Sequence, residues 1–178
     1  ATAARLAELR KAVRFVVCTD GRFGSDTIGC DELVMIRHEE AVYSARFLGV
    51  DDIAFLPFSD GACYLLDDME KAIASEIASF QPDVIFAPDP FVPNECHQDH
   101  LNVGMCARKL ACFSPYSGIM KERYSCNPAD VKALAFYMTA HPNTYVKTSS
   151  VLLRKQLDAI KLHESQFSAG ADVFAYLR

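Results

Sequence analysis

Short apolar runs alternate with longer amphipathic stretches along this chain, and this alternation restricts its fold more than any single motif. Apolar runs of this length are typical of strands buried on both faces, and amphipathic stretches are typical of helices. The candidate strands are VRFVVC (13–18), IAFLPF (53–58) and DVIFAP (83–88). The candidate helices are 2–11, 32–48, 66–80, 99–113 and roughly 150–167. Strands alternating with helices predict an α/β fold with right-handed crossovers and a mostly parallel sheet.

The last third of the chain is less regular. ALAFYMT (133–139) and TYVKTS (144–149) have only the turn-like AHPN between them. We expect these two runs at one edge of the sheet, where antiparallel pairing stays open. Residues 114–130 contain two prolines and a glycine, and we expect them to form the longest loop.

Composition excludes several classes of function. The 178 residues suggest one domain, and the net charge of -5 disfavours nucleic acid or an anionic membrane as the main partner. No apolar run approaches the roughly 20 residues of a membrane span. The seven cysteines are odd in number and form no C-x-x-C pair, which indicates a reducing, cytoplasmic compartment. Composition leaves the kind of partner otherwise open, and a homo-oligomer stays open as well.

An acid follows each predicted strand at its carboxyl end, where open parallel sheets bind their ligands. These acids are Asp20, Asp60 and Asp89, and the stretch NECHQDHLN comes soon after the third. We therefore expect the three acids to converge with His97 and His100 on one rim of the sheet.

The helix that follows NECHQD determines the direction in which the His100 side chain is oriented. His100 shares one predicted apolar face with Val103, Ala107 and Leu110. In one interpretation Asp99 caps the helix and both histidines are structural. In the other, His100 is one of about three protein ligands to a catalytic zinc, supported from behind by Asp99 or Asp89. Spacing alone does not choose between them.

Other polar features have simpler alternatives. TDGRFG (19–24) could cradle a phosphate, but it lacks the G-x-G-x-x-G spacing and no basic P-loop residue follows, so a nucleotide-binding domain is the weaker hypothesis. Arg37 suits an ion pair with Glu40 or Glu39 as well as a substrate clamp. His141 is interpreted as part of a turn and His163 as structural.

Taken in order, these segments resemble the PIG-L/LmbE family of zinc-dependent N-acetylglucosaminyl deacetylases. The order is TDGRFG, R-x-x-E followed by LG, QPDVIFAPDPFVPNECHQDH, FYMTAHPNTYV and KQLDAIKLHESQF. PDPFVPNECHQDH and FYMTAHPNTYV are most similar to the diacetylchitobiose deacetylase branch. The resemblance runs over nearly the whole chain. It implies a Rossmann-like three-layer sandwich of the LmbE type, with residues 1–178 in a single domain.

The resemblance also implies roles for the residues that match the family's His-x-Asp-His motif. By this match His100 is a zinc ligand, while His97 polarises the amide carbonyl and stabilises the oxyanion. Asp99 would orient a histidine. Arg37 and Asp60 match positions near the substrate pocket. Glu95 and Cys96 would line the approach to the motif, so Arg37, Asp60 and Glu95 are predicted to bind substrate.

Two departures from the family pattern modify these expectations. The family begins with a strand ending in His-Pro-Asp-Asp, which supplies a histidine and an aspartate to zinc and a second aspartate as general base. That motif and its strand do not occur in these 178 residues, and Gln98 stands where the family usually has proline. We therefore expect an incomplete copy, shorter also at its C-terminal end, that binds zinc poorly, and its activity as given stays open.

The predicted reaction is zinc-dependent hydrolysis of the N-acetyl group of an N-acetylglucosamine-type sugar, such as diacetylchitobiose or a GlcNAc conjugate. Zinc would lower the pKa of the attacking water, and a carboxylate would pass the water's proton to the leaving amine. The alternative is a non-catalytic sugar-binding or assembly domain of the same fold that lacks the metal site.

Overall fold

The computed structural model describes residues 1–167, which contain six helices and four strands. The helices are α1 (Thr2–Glu8), α2 (Cys30–Leu48), α3 (Leu66–Phe80), α4 (Gln98–Phe113), α5 (Ser117–Tyr124) and α6 (Ser150–Lys161). The strands are β1 (Arg14–Val17), β2 (Asp52–Phe55), β3 (Val84–Pro88) and β4 (Ala133–Tyr137). The predicted mixed α/β class with parallel strands is confirmed. Within the described part of the chain, no helix has the length and apolarity needed to cross a bilayer.

Helix α5 lies inside the region that was expected to be a loop, so that expectation was wrong. Met120 and Tyr124 are four residues apart and both are buried, which gives α5 one short apolar face. The two prolines of this region, Pro115 and Pro128, stand outside the helix and do not interrupt it.

The expected edge pair of strands was also wrong. β4 pairs with β3, and the pairing is parallel, running from Val84 opposite Ala133 to Pro88 opposite Tyr137. Residues 144–149 form no strand, and the Tyr145 side chain among them is 82% exposed. A segment this exposed gains little from pairing in a sheet, although its composition suits a strand.

Contacts within the chain group its residues into two compact units. Unit 1 comprises Ala1–Phe55 and the described residues from Thr144 onward, and unit 2 comprises Leu56–Asn143. Each unit holds one two-stranded parallel sheet, β1–β2 in unit 1 and β3–β4 in unit 2. The single domain over residues 1–178 stays a prediction.

Unit 1 packs helices α1, α2 and α6 against one another. Ser44 of α2 donates a hydrogen bond to the Ala159 carbonyl of α6 at 3.0 Å. The carboxylate of Glu40 accepts hydrogen bonds from both the backbone N–H and the hydroxyl of Ser165, each at 2.7 Å. These buried polar groups fix α2 beside the segment that follows α6.

Unit 2 brings α4 unusually close to the carboxyl end of β3. A Cβ atom at Gly104 would lie 2.5 Å from the Pro88 carbonyl oxygen and 2.9 Å from Pro90 Cδ. Only glycine therefore permits this approach. Further along α4, Leu110 is fully buried and contributes about 2 kcal/mol of hydrophobic stabilisation. This packing sets where the first turn of α4 lies.

Candidate functional site

The first turn of α4 presents two stacked histidines. The ring centroids of His97 and His100 are 4.4 Å apart, with 18° between the ring planes. Residues three apart lie one above the other on a helix, and this spacing brings the two rings together. The side chains are 52% and 42% exposed, so both remain open to a ligand. His97 occupies the N-cap position that was expected for Asp99, because the helix begins at Gln98.

Glu95 lies behind His100. Its two carboxylate oxygens accept from the backbone N–H of His97 at 2.8 Å and from His100 Nδ1 at 3.1 Å. These two hydrogen bonds, the backbone one first, lower the pKa of Glu95. An ionised carboxylate can only accept, so His100 carries its proton on Nδ1 and leaves Nε2 available. This support was expected from Asp99 or Asp89.

Asp99 is the buried member of the motif. Its carboxylate accepts from the backbone N–H of Gly61 at 2.8 Å, from that of Ala62 at 2.9 Å and from the Tyr64 hydroxyl at 2.8 Å. Gly61 and Ala62 have φ angles of 71° and 57°, so two successive left-handed residues direct their N–H groups at one anion. His97 Nδ1 lies 3.7 Å from the carboxylate, beyond hydrogen-bonding distance.

Tyr64 is held as a hydrogen-bond donor by its surroundings. Burial raises its pKa to about 12, the hydrogen bond from Asn102 opposes this shift and the Asp99 carboxylate adds to it. Asn102 Nδ2 donates to the same hydroxyl oxygen at 3.1 Å. The phenol therefore stays protonated and its proton points to Asp99.

The other predicted residues divide between the two units. Asp60 lies in unit 2, directly before the turn that Asp99 holds. Asp89, also in unit 2, accepts the Phe91 N–H at 2.9 Å and stabilises the loop after β3. Asp20 lies in unit 1, where it accepts from Arg22 Nε at 2.9 Å. Unit 2 thus joins Glu95 and the His-x-Asp-His motif with the turn that follows Asp60.

Arg37 belongs to unit 1 and binds backbone there. Its guanidinium donates to the carbonyl oxygens of Gly21 at 2.5 Å and Gly24 at 3.2 Å. Cβ atoms on these two glycines would overlap the guanidinium. The carboxylate of Glu40, considered from the sequence as an ion-pair partner of Arg37, instead accepts hydrogen bonds from Ser165. His163, interpreted as structural, has its pKa lowered chiefly by burial.

The donor set of the motif fits part of a metal site. His100 has a carboxylate on Nδ1 and an open Nε2, which is the usual arrangement of a metal-binding histidine. A catalytic zinc takes about three protein ligands. Among residues 1–167, no three histidine, cysteine, aspartate or glutamate side chains are grouped so that they could hold a metal. The described residues therefore do not form a complete zinc site.

Tyr64 and Asn102 were not found by sequence reasoning. Asp99 and Tyr64 are 35 positions apart, and no spacing rule joins an acid on one helix to a tyrosine in a turn before another. The run Ser59-Asp60-Gly61 was a local signal of a turn there, but it did not point to Tyr64.

This chain is similar in sequence to known proteins of one family. A family model described as PIG-L, GlcNAc-PI de-N-acetylase, matches residues 1–111. The chain is 32% identical over 159 residues to a diacetylchitobiose deacetylase from Thermococcus kodakarensis, which covers 87% of this chain. It spans 59% of the length of that relative.

Solved structures agree with the sequence matches. The N,N'-diacetylchitobiose deacetylase from Pyrococcus horikoshii, complexed with its inhibitor MPG, matches with a TM-score of 0.89 and 31% identity over 99% of this chain and 68% of its own. The conserved protein TT1542 from Thermus thermophilus matches with a TM-score of 0.78 and 23% identity over 98% of this chain and 75% of its own. The second likeness concerns the fold alone.

Proposed function

Because this chain belongs to the PIG-L family, we propose that it hydrolyses the N-acetyl group of an N-acetylglucosamine-type sugar such as diacetylchitobiose. Water adds to the acetamide carbonyl carbon, the C–N bond breaks, and acetate and a free amine leave. The observation that carries the proposal is the stacked His97–His100 pair with Glu95 behind one ring. The likeness to two diacetylchitobiose deacetylases supports this class of substrate.

His97 is proposed to donate a hydrogen bond to the acetamide oxygen. Its side chain is 52% exposed, and stacking on His100 limits the rotation of its ring. A donor fixed in this way stabilises the negative charge that develops on the oxygen as water adds. The residue therefore acts on the transition state more than on substrate binding.

His100 is proposed as one ligand of a zinc ion, since the PIG-L deacetylases are generally metal-dependent. Zinc, when bound, supplies a Lewis acid and a water of lowered pKa. Glu95 fixes the His100 ring with Nε2 available. Because the described residues do not complete a three-ligand set, we derive no step through the metal.

Asp60 and Glu95 of unit 2 are proposed to bind the sugar, and for Arg37 of unit 1 substrate binding stays a prediction from the sequence. Asp60 lies at the turn fixed by Asp99 and would accept hydrogen bonds from sugar hydroxyls. Both oxygens of Glu95 already accept hydrogen bonds, so Glu95 would share them with the substrate. We place the protein in the cytoplasm, in line with its seven cysteines, and leave its oligomeric state open.

The test is acetate release from N-acetylglucosamine and diacetylchitobiose by the zinc-loaded full-length protein. We expect His97→Ala to lower kcat about 100-fold with zinc content unchanged. His100→Ala should lose bound zinc as well as activity. His141→Ala is the matched control, because His141 is an exposed histidine of the same unit. Absence of acetate from the wild type contradicts the activity, and full activity of His97→Ala contradicts the site.

A further inference from the structure

A continuous set of hydrogen bonds joins two turns of α4 to the turn after Asp60. Asn102 donates to the Tyr64 hydroxyl oxygen at 3.1 Å, and that hydroxyl donates to Asp99 at 2.8 Å. The same carboxylate accepts the N–H groups of Gly61 and Ala62. Four hydrogen bonds therefore join the helix that carries the histidine pair to residues 61–64.

The histidines and the turn share Asp99 as a common anchor. Asp99 lies between His97 and His100 in the chain and is buried, while both histidines are partly exposed. The side chains of His97 and His100 are thus partly exposed to solvent, while the side chain of Asp99 faces the turn. Any shift of the turn relative to α4 must break or stretch the hydrogen bonds to this carboxylate.

Asp60 depends on this anchor through its peptide bond to Gly61. Consecutive Cα atoms are about 3.8 Å apart, so a change in the conformation of Gly61 moves Asp60 directly. Ala62 has a φ of 57°, a region that alanine disfavours, and its N–H is bound to Asp99. The turn therefore needs its hydrogen bonds in order to keep this conformation.

We propose that Tyr64 and Asn102 are positioning residues, which act through Asp99 to hold Asp60 in a fixed position relative to the His97–His100 pair. This inference rests on the proposed deacetylase function and on the proposed role of Asp60 in sugar binding. The turn sets how well the sugar is held, and the histidines act on the acetamide. A variant that loses the hydrogen bonds to Asp99 should bind the sugar less well and still act on the acetamide, because His97 and His100 keep their hydrogen bonds to Glu95.

The direct test is Tyr64→Phe in the zinc-loaded full-length protein, with diacetylchitobiose as substrate. Phenylalanine keeps the ring and removes the hydroxyl that donates to Asp99 and accepts from Asn102. We expect KM to rise about tenfold while kcat falls less than threefold. Tyr116→Phe is the matched control, since Tyr116 is a tyrosine of the same unit with 60% exposure, and it should change neither constant.

Amide hydrogen exchange distinguishes positioning from a general loss of folding. In Tyr64→Phe the amides of Gly61 and Ala62 should exchange at least tenfold faster, while those of Ala107 and Leu110 in the core of α4 should not change. A purely structural role would lower the active fraction, and hence kcat, and leave KM as it was. When Ala62→Gly is added to Tyr64→Phe, KM should return part of the way to its wild-type value, because glycine adopts the left-handed conformation without strain.

The outcomes separate the two proposals. If the wild type releases no acetate from either sugar, both proposals are overturned. If the wild type is active and Tyr64→Phe keeps the wild-type KM and the wild-type exchange of Gly61 and Ala62, the positioning role alone is overturned.

Discussion

Residues 19–24 follow strand β1 and residues 61–64 follow strand β2, yet one segment is held by a cation and the other by an anion. In the first, Arg37 of α2 donates to two backbone carbonyls. In the second, Asp99 of α4 accepts two backbone N–H groups and a hydroxyl. Residues 19–24 turn carbonyl groups toward their helix, and a cation binds them. Residues 61–64 turn N–H groups toward theirs, and an anion binds them.

The two anchors differ in how fully their hydrogen-bonding capacity is used. Asp99 is 4% exposed and its two oxygens accept three hydrogen bonds. Arg37 is only partly buried, and its Nε is a buried nitrogen without a hydrogen-bond partner among the described residues. Hydrogen bonds to a buried charged group are worth more than hydrogen bonds to partly exposed carbonyls that water can reach. The Asp99 anchor should therefore contribute more to stability than the Arg37 anchor.

The largest expected effect is that of Asp99→Asn. The substitution removes the charge of a buried carboxylate and replaces one of its two accepting oxygens with an NH₂ group, so at least one of the three donors loses its acceptor. We expect a loss of about 3 kcal/mol in the free energy of unfolding. Chemical denaturation would measure this loss. Asp130→Asn is the control, because the Asp130 side chain is 77% exposed, and its effect should stay below about 0.5 kcal/mol. Equal effects of the two substitutions would contradict the special role of Asp99.

An intermediate effect is expected where α4 approaches β3. In Gly104→Ala the new Cβ would lie 2.5 Å from a backbone oxygen of Pro88, which cannot move aside without shifting a strand. We expect a loss of about 2 kcal/mol, because overpacking at a rigid contact typically costs 1–3 kcal/mol. Thermal unfolding would measure the loss.

Two further glycines serve as comparisons for Gly104. In Gly24→Ala the new Cβ meets the flexible guanidinium of Arg37, so its loss should be about 1 kcal/mol. In Gly118→Ala the new Cβ meets nothing within 4 Å and lies in helix α5, so the variant should gain about 0.5 kcal/mol. A larger loss for Gly24→Ala than for Gly104→Ala would show that the Arg37 segment is the more rigid of the two.

Of the two anchors, the smaller effect is expected for Arg37, tested by Arg37→Met. Methionine keeps most of the apolar stem and removes the hydrogen bonds to Gly21 and Gly24, whose carbonyls can then bind water. We expect a loss of about 1 kcal/mol on chemical denaturation. Arg154→Met, at an exposed arginine of the same unit, should change stability by less than about 0.5 kcal/mol. A loss for Arg37→Met that matches Asp99→Asn would remove the difference between the anchors.

The pattern of the sequence was a good guide to regular elements with a clear periodicity. Strands β1, β2 and β3 and helices α2, α3 and α4 lie within two or three residues of their predicted bounds. Helix α5 was not predicted, because only two of its eight side chains are buried and prolines flank it. So short a helix shows too little periodicity to be detected. The run 144–149 has the composition of a strand but no burial to support one.

The candidate site was predictable as a motif but not as a set of contacts. His97, Asp99 and His100 were recognised by their order in the chain, since that order survives without any knowledge of geometry. Their partners were assigned less well. Glu95 supports His100, a contact over five residues that a helical wheel cannot show because Glu95 precedes the helix.

By itself the sequence determined the alternation of strands and helices, the family and the residues of the His-x-Asp-His motif. Periodicity and local spacing are properties of neighbouring residues, so a linear chain already contains them. Only the tertiary structure decided that Asp99 faces residues 61–64, that Tyr64 and Asn102 share its hydrogen bonds, and that Arg37 binds carbonyls instead of Glu40. These contacts join residues far apart in the chain, and packing sets them through close approaches such as that at Gly104.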